Sequence, residues 1–228
     1  MNTSYMEITL KFIVLKECSK DEILKNAVNI VDKYICKYSE EYHKKQTLKD
    51  YCVSRIEPAL SNIYKRGDVV SIKVRSDKKE IIEQFKNDYI ENDFLKTILI
   101  DEKLIFNKNK ISEIYTLTPA IFSSDSDNKY TLSDRKNLDE LKRALIKNGR
   151  AKSQLDEEYD FIESIEIKNS YPISIKITRD VNEIVYLADK LQIKVKSDEV
   201  SQRIVNALIT KGLGRHCTCG NGFINYKK

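Results

Sequence analysis

The chain holds two histidines, and both sit among residues that could do chemistry. His43 lies in the basic run Tyr42-His43-Lys44-Lys45, with Lys49 close behind. An imidazole titrates near pH ~6.5, so it can give or take a proton in neutral solution. Neighbouring ammonium groups can stabilise charge that develops on a phosphate. The same residues also fit a plain helix-end histidine hydrogen-bonded to the last carbonyls, and on composition alone that role is favoured. His216 stands near the other end of the chain, beside Cys217 and Cys219. These three potential metal ligands within four residues are too close together to close a tetrahedral zinc site, which draws on two separated segments. Cys18, Cys36 and Cys52 are isolated from one another, so no second half-site exists and neither metal nor cofactor is expected.

Around His216 the backbone itself is unusual. Gly212, Gly214, Gly220 and Gly222 are four of the six glycines in the chain. Two G-x-G pairs mark a place where the backbone turns with positive φ or approaches a ligand closely. No acidic residue follows Glu199, whereas Arg203, Lys211, Arg215, Lys227 and Lys228 all do. A helix C-cap followed by a tight turn would explain one glycine pair. Two pairs with basic residues between them favour a loop whose exposed N–H groups cradle phosphate. A second cationic feature is the helical stripe Lys136, Arg143, Lys147 and Arg150, which reads equally as a phosphate-binding face and as a solvated one.

The elements that must position these residues follow from periodicity. Tyr5 to Leu15 is a strand. Ser19 caps a helix that begins with Asp21 and Glu22 and runs to about Tyr38, with Ile23, Leu24, Ala27, Ile30, Val31, Tyr34 and Ile35 inward. A short strand at Tyr51–Ile56, an alternating strand at Asp68–Arg75 and a helix at Lys78–Tyr89 come next. Strands at Phe94–Ile100 and Lys103–Phe106 complete a β-α-β-β-α-β order, that of a ferredoxin-like domain. The second half repeats it: strand Ile111–Ile121 limited by Pro119, a polar surface loop at 123–133, and a helix from Asp134 to about Lys152. Strands at Phe161–Ile167, Ile173–Thr178 and Leu191–Lys196, a helix at Asp198–Ile209 and a last strand at Phe223–Ile224 follow. The expected architecture is α+β, two tandem ferredoxin-like domains at 1–108 and 109–228.

The 228 residues, 41% hydrophobic and 33% charged, make a globular chain and exclude a disordered one. No apolar run reaches the roughly 18 residues of a membrane helix. Met1–Lys11 alternates instead of forming a signal-peptide core, and five scattered cysteines suit a reducing compartment, so a cytoplasmic protein is expected. A net charge of +5 permits an anionic partner without requiring one.

The ending Gly212-Leu213-Gly214 and Gly220-Asn221-Gly222-Phe223 resembles the C-terminal glycine-rich signature of the RAMP proteins of CRISPR systems. The chain is most similar to the CRISPR-associated endoribonucleases that cut precursor CRISPR RNA within its repeats. His43 after the first helix, Tyr51-Cys52-Val53-Ser54, Tyr64-Lys65-Arg66-Gly67-Asp68 and Lys73-Val74-Arg75 follow the family's order. Thr118-Pro119-Ala120-Ile121 stands where that family opens its second domain. Many members end in G-F-G, whereas this chain has Gly220-Asn221-Gly222.

The resemblance implies an RAMP-type fold and metal-independent RNA cleavage, in which the ribose 2′-OH attacks the neighbouring phosphate with help from a base, an acid and nearby positive charge. It places His43 as the general acid/base. Lys49 would neutralise the phosphorane, and Tyr42 and Lys44 would assist. Lys45, the glycine loop with Lys211, Arg215 and His216, and the stripe Lys136, Arg143, Lys147 and Arg150 are the expected RNA contacts. The implied partners are CRISPR repeat RNA and a CRISPR effector complex, with the protein a monomer or homodimer and no membrane involved. Two other readings stay open: a non-catalytic RAMP subunit that binds repeat RNA, and a ferredoxin-like regulatory module without an RNA ligand.

Overall fold

The computed structural model describes residues 3–38, 49–59, 62–85, 89–107, 109–122, 138–179 and 182–228. The chain divides into two compact units, one of Asn2–Asn107 with Thr218–Gly220, the other of Lys108–Cys217 with Asn221–Lys228.

The first unit contains β1 (Thr3–Val14), β2 (Cys18–Ser19), α1 (Lys20–Tyr38), β3 (Tyr51–Val53), β4 (Ile63–Tyr64), β5 (Val69–Ser76), α2 (Lys79–Glu83) and β6 (Leu95–Asn107). Its main sheet has the order β3-β5-β1-β6, antiparallel throughout, and β2 pairs with β4 alone. Ile8, Leu10, Phe12 and Val14 alternate along β1 and are fully buried. That alternation puts them on one face of the pleat. They share a core with Ile23, Ala27, Ile30 and Tyr34 of α1 and with Ile81 and Ile82 of α2. The entry to α1 is fixed by a reciprocal cap. The Ser19 N–H donates to Glu22 Oε2 at 2.8 Å, and the Glu22 N–H donates to Ser19 Oγ at 3.3 Å.

The second unit contains β7 (Glu113–Thr116), β8 (Ala120–Ile121), α3 (Leu138–Ser153), β9 (Ile162–Ile167), β10 (Ile173–Arg179), β11 (Asn182–Asp189), β12 (Leu191–Val195), α4 (Glu199–Lys211) and β13 (Ile224–Lys227). One antiparallel sheet runs β13-β7-β12-β9 and a smaller one β10-β11-β8. The protein is thus a mixed α+β structure of antiparallel sheets. Among its described residues no helix is long and apolar enough to cross a membrane.

Several elements differ from the sequence expectation. The two strands expected at 94–100 and 103–106 are one strand, β6, because Asp101, Glu102 and Lys103 pair in register with Thr9, Ile8 and Glu7 of β1 and lie on the sheet edge, where charge is solvated. The strand expected at 111–121 is broken into β7 and β8 around Pro119. Strand β11, which pairs with β10 from Asn182 to Ala188, has no counterpart in the sequence expectation. Helix α2 covers five residues of the longer helix expected there, while α4 runs two residues further, to Lys211. The polar loop expected at 123–133 lies outside the described residues.

Candidate nucleic-acid interface

The glycine loop is built from the end of α4. Asp198 caps this helix, its two carboxylate oxygens accepting from the Ser201 N–H at 2.9 Å and the Ser201 hydroxyl at 2.7 Å. These bonds hold the Asp198 carboxyl below the usual range. The helix ends where Gly212 takes a φ of 78°. From there the chain is tied back to the segment between β7 and β8. Leu213 N–H donates to Gly222 O at 2.8 Å, Gly222 N–H to Pro119 O at 2.9 Å, and Phe223 N–H to Thr118 Oγ1 at 2.8 Å. A Cβ at Gly222 would lie 1.8 Å from Leu213 O, and one at Gly214 would lie 2.5 Å from Ile121 O, so both positions need the missing side chain.

Helix α3 grips the same loop from another side. Asn148 Oδ1 accepts the Gly214 N–H at 3.0 Å, and its Nδ2 donates to Gly214 O at 3.5 Å. One turn on, Lys152 is 4% exposed and its Nζ donates to Lys211 O at 2.8 Å, capping the carbonyl end of α4. The ammonium also lies 3.9 Å from Cys217 Sγ, whose thiol donates to Gly214 O at 3.3 Å. Burial pushes the Cys217 thiol up, against the pull of Lys152. It stays a neutral thiol at neutral pH, and among the described residues no group of three His, Cys, Asp or Glu side chains could hold a metal ion.

Held in this way, the loop presents Arg215 and His216. Arg215 is exposed, and its N–H donates to Ile121 O at 3.0 Å. His216 is half-buried with φ at 56°, a conformation uncommon outside glycine, and its ring lies 5.0 Å from that of Tyr186 on β11.

This geometry corrects the expectation of a loop with open N–H groups. The amides of Gly212, Gly214 and Gly222 donate to Leu208 O, Asn148 Oδ1 and Pro119 O, so at these positions the fold consumes the donors that were to cradle phosphate. Gly220 is likewise buried. Lys211 is 7% exposed, which leaves Arg215 as the cation of this pair that faces solvent.

The remaining expected residues fall elsewhere. Arg143, Lys147 and Arg150 are exposed at one-turn spacing on α3, with Arg143 Nε directed at Asp139 O (3.4 Å) and Arg150 Nε at Leu155 O (3.3 Å). Lys136 lies outside the described residues, as do Tyr42, His43, Lys44 and Lys45. Lys49 directly precedes Asp50, whose carboxylate binds Lys78 at 2.7 Å and whose carbonyl accepts from Ser76 Oγ at 2.7 Å.

The sequence matches no protein-family model and no curated protein. Its fold does match solved structures. A CRISPR-associated protein Cas6 aligns with a TM-score of 0.68 at 16% identity, covering 98% of this chain and 100% of that one. The fold is that of Cas6. An RAMP protein described as binding different RNA substrates gives a TM-score of 0.65 at 16% identity over 98% and 100% of the two chains. A CRISPR RNA processing endoribonuclease, Cas6b, gives 0.55 at 16% identity over the full length of both.

Within this Cas6-like fold, sequence reasoning missed Asn148, Lys152 and Tyr186. The first two stand at i and i+4 on a helix between apolar positions, a spacing that puts them on one face. Their partners lie 59 to 66 residues away, so nothing local in the sequence marks them.

Proposed function

We propose that this protein is an endoribonuclease that cleaves precursor CRISPR RNA within its repeats. The observation that carries the reading is the Cas6 fold spanning 98% of the chain. It is supported by the strand orders β3-β5-β1-β6 and β13-β7-β12-β9, each the 4-1-3-2 arrangement of a ferredoxin-like domain once short and inserted strands are set aside. We read the chain as two such domains in tandem, with the proton-transfer residue in the first and an RNA contact in the second.

In the proposed reaction the ribose 2′-OH attacks the adjacent phosphorus as its proton is removed. The 5′ oxygen leaves with a proton, giving a 2′,3′-cyclic phosphate, or a 3′-phosphate after hydrolysis, and a 5′-hydroxyl. The assigned roles are His43 as general acid/base, Lys49 as electrostatic stabiliser of the phosphorane, and Tyr42 and Lys44 as helpers. Lys45, Arg215, His216 and the α3 face of Arg143, Lys147 and Arg150, extended by Lys136, serve RNA binding. The protein works without a metal cofactor, in the cytoplasm, alone or with a CRISPR effector complex.

The test is incubation with labelled repeat RNA in EDTA, beside the same RNA carrying a 2′-deoxy substitution at the scissile position. Cleavage of the unmodified RNA alone is expected. A second reading, a non-catalytic RAMP subunit that binds repeat RNA, is favoured by the likeness to the RNA-binding RAMP protein. Tight binding without cleavage of either RNA would select it. Absence of binding across several repeats would leave the regulatory module.

A further inference from the structure

We infer that Asn148 is a positioning residue for an RNA phosphodiester held by Arg215, an inference that rests on the RNA-binding reading above. The two peptide units on either side of Gly214 are both gripped by one side chain. The Gly214 N–H, in the first unit, donates to Asn148 Oδ1, and the Gly214 carbonyl, in the second, accepts from Asn148 Nδ2. The primary amide of asparagine sets an acceptor oxygen and an N–H donor side by side at the end of a short side chain, spaced to meet both groups of Gly214. The second unit is held at its other end too, where the Arg215 N–H donates to Ile121 O, and its carbonyl also accepts the Cys217 thiol. The backbone that carries the Arg215 side chain is therefore fixed by three elements of the fold, α3, β8 and the loop itself.

The consequence is energetic. A glycine on each side of Leu213 would otherwise let this segment sample many conformations, and ordering it on binding would cost conformational entropy at each residue. The Asn148 grip, backed one turn later by the buried Lys152 ammonium on Lys211 O, moves that cost from binding to folding. Arg215 then meets the phosphodiester already in place.

A salt titration of binding separates this role from plain structural support. Each phosphate contact on a single strand contributes about 0.7 to the slope of log affinity against log salt. Binding of repeat RNA blocked by 2′-deoxy substitution is measured for the wild type, Asn148→Ala, Arg215→Ala and the double variant, below the melting temperature of each. Arg215→Ala should weaken binding about tenfold and flatten the slope by about 0.7. Asn148→Ala removes no charge, yet it should flatten the slope by nearly as much, and the double variant should bind no more weakly than Arg215→Ala. Cys217→Ala, which deletes the thiol contacts to Gly214 O and to the Lys152 ammonium, should shift both readings the same way by a smaller amount and serves if Asn148→Ala does not fold. A wild-type slope in Asn148→Ala and Cys217→Ala, with penalties that multiply in the double variant, would overturn the inference. Failure of the wild type to bind any repeat RNA would instead overturn the functional reading beneath it.

Discussion

Replacing Gly222 by alanine separates two reasons for a glycine, backbone angle and close approach. The residue has a φ of 61°, and its added Cβ would fall 1.8 Å from the carbonyl oxygen of Leu213 and 2.8 Å from its carbon. These are backbone atoms, and Cβ contacts under 3.0 Å are essentially never seen, so the loop must open by about an ångström. The left-handed angle costs an alanine about 1–2 kcal/mol. Opening the loop stretches the bonds Leu213 N–H to Gly222 O and Gly222 N–H to Pro119 O, worth about 1 kcal/mol each. The expected loss is therefore about 3–4 kcal/mol. Gly67 provides the control, since its φ of 95° is also positive but nothing lies within 4 Å of its added Cβ. Gly67→Ala should lose only the angular part, about 1–2 kcal/mol. Urea unfolding followed by circular dichroism measures both. Equal losses in the two variants would refute the argument from close approach.

Other outcomes are expected with simpler assays. His43→Ala should abolish repeat cleavage while leaving RNA affinity within about threefold, since a proton-transfer group contributes mainly to the transition state; gel-based cleavage and filter binding report the two, and wild-type cleavage would remove His43 from the mechanism. Asp198→Ala should cost about 1 kcal/mol, the ordinary value of a helix N-cap, read as a lower urea midpoint. Because the folded Asp198 carboxyl titrates below its unfolded value, its contribution is present above the unfolded pKa and lost as pH falls through the folded one. The stability gap between wild type and Asp198→Ala should therefore be full at neutral pH and close in strong acid.

How much of this was legible beforehand depended on how local the cause is. The alternation in β1 and β5, Ser19 as the cap of α1 and the start of α4 at Asp198 are written in neighbouring residues, and the sequence expectation found them. Strand β11 escaped because Asn182-Glu183 and Asp189 break its apolar pattern, while what makes it a strand is pairing with β10. The glycine loop was recognised as special for a reason the structure changes. Its glycines accommodate the carbonyls of Leu213, within the loop, and of Ile121, on β8, and its amides are consumed by Leu208, Pro119 and Asn148. Position and charge at Arg215 could be read from the sequence, but the device that holds it could not.

The edge strand β6 has a consequence for the protein's behaviour at high concentration. Leu99, Leu104 and Phe106 are more than 40% exposed along a strand of thirteen residues whose outer side, past a bridge between Lys96 and Glu91, has no strand partner among the described residues. Such an edge is a template for chain-to-chain pairing and insoluble assembly. The charges Asp101, Glu102 and Lys103 interrupt its apolar outline near the middle, so a second copy laid antiparallel and centred there would bring Glu102 against Glu102. Asp101 and Glu102, the break between the two strands expected here, thus act with Lys103 as gatekeepers of colloidal stability.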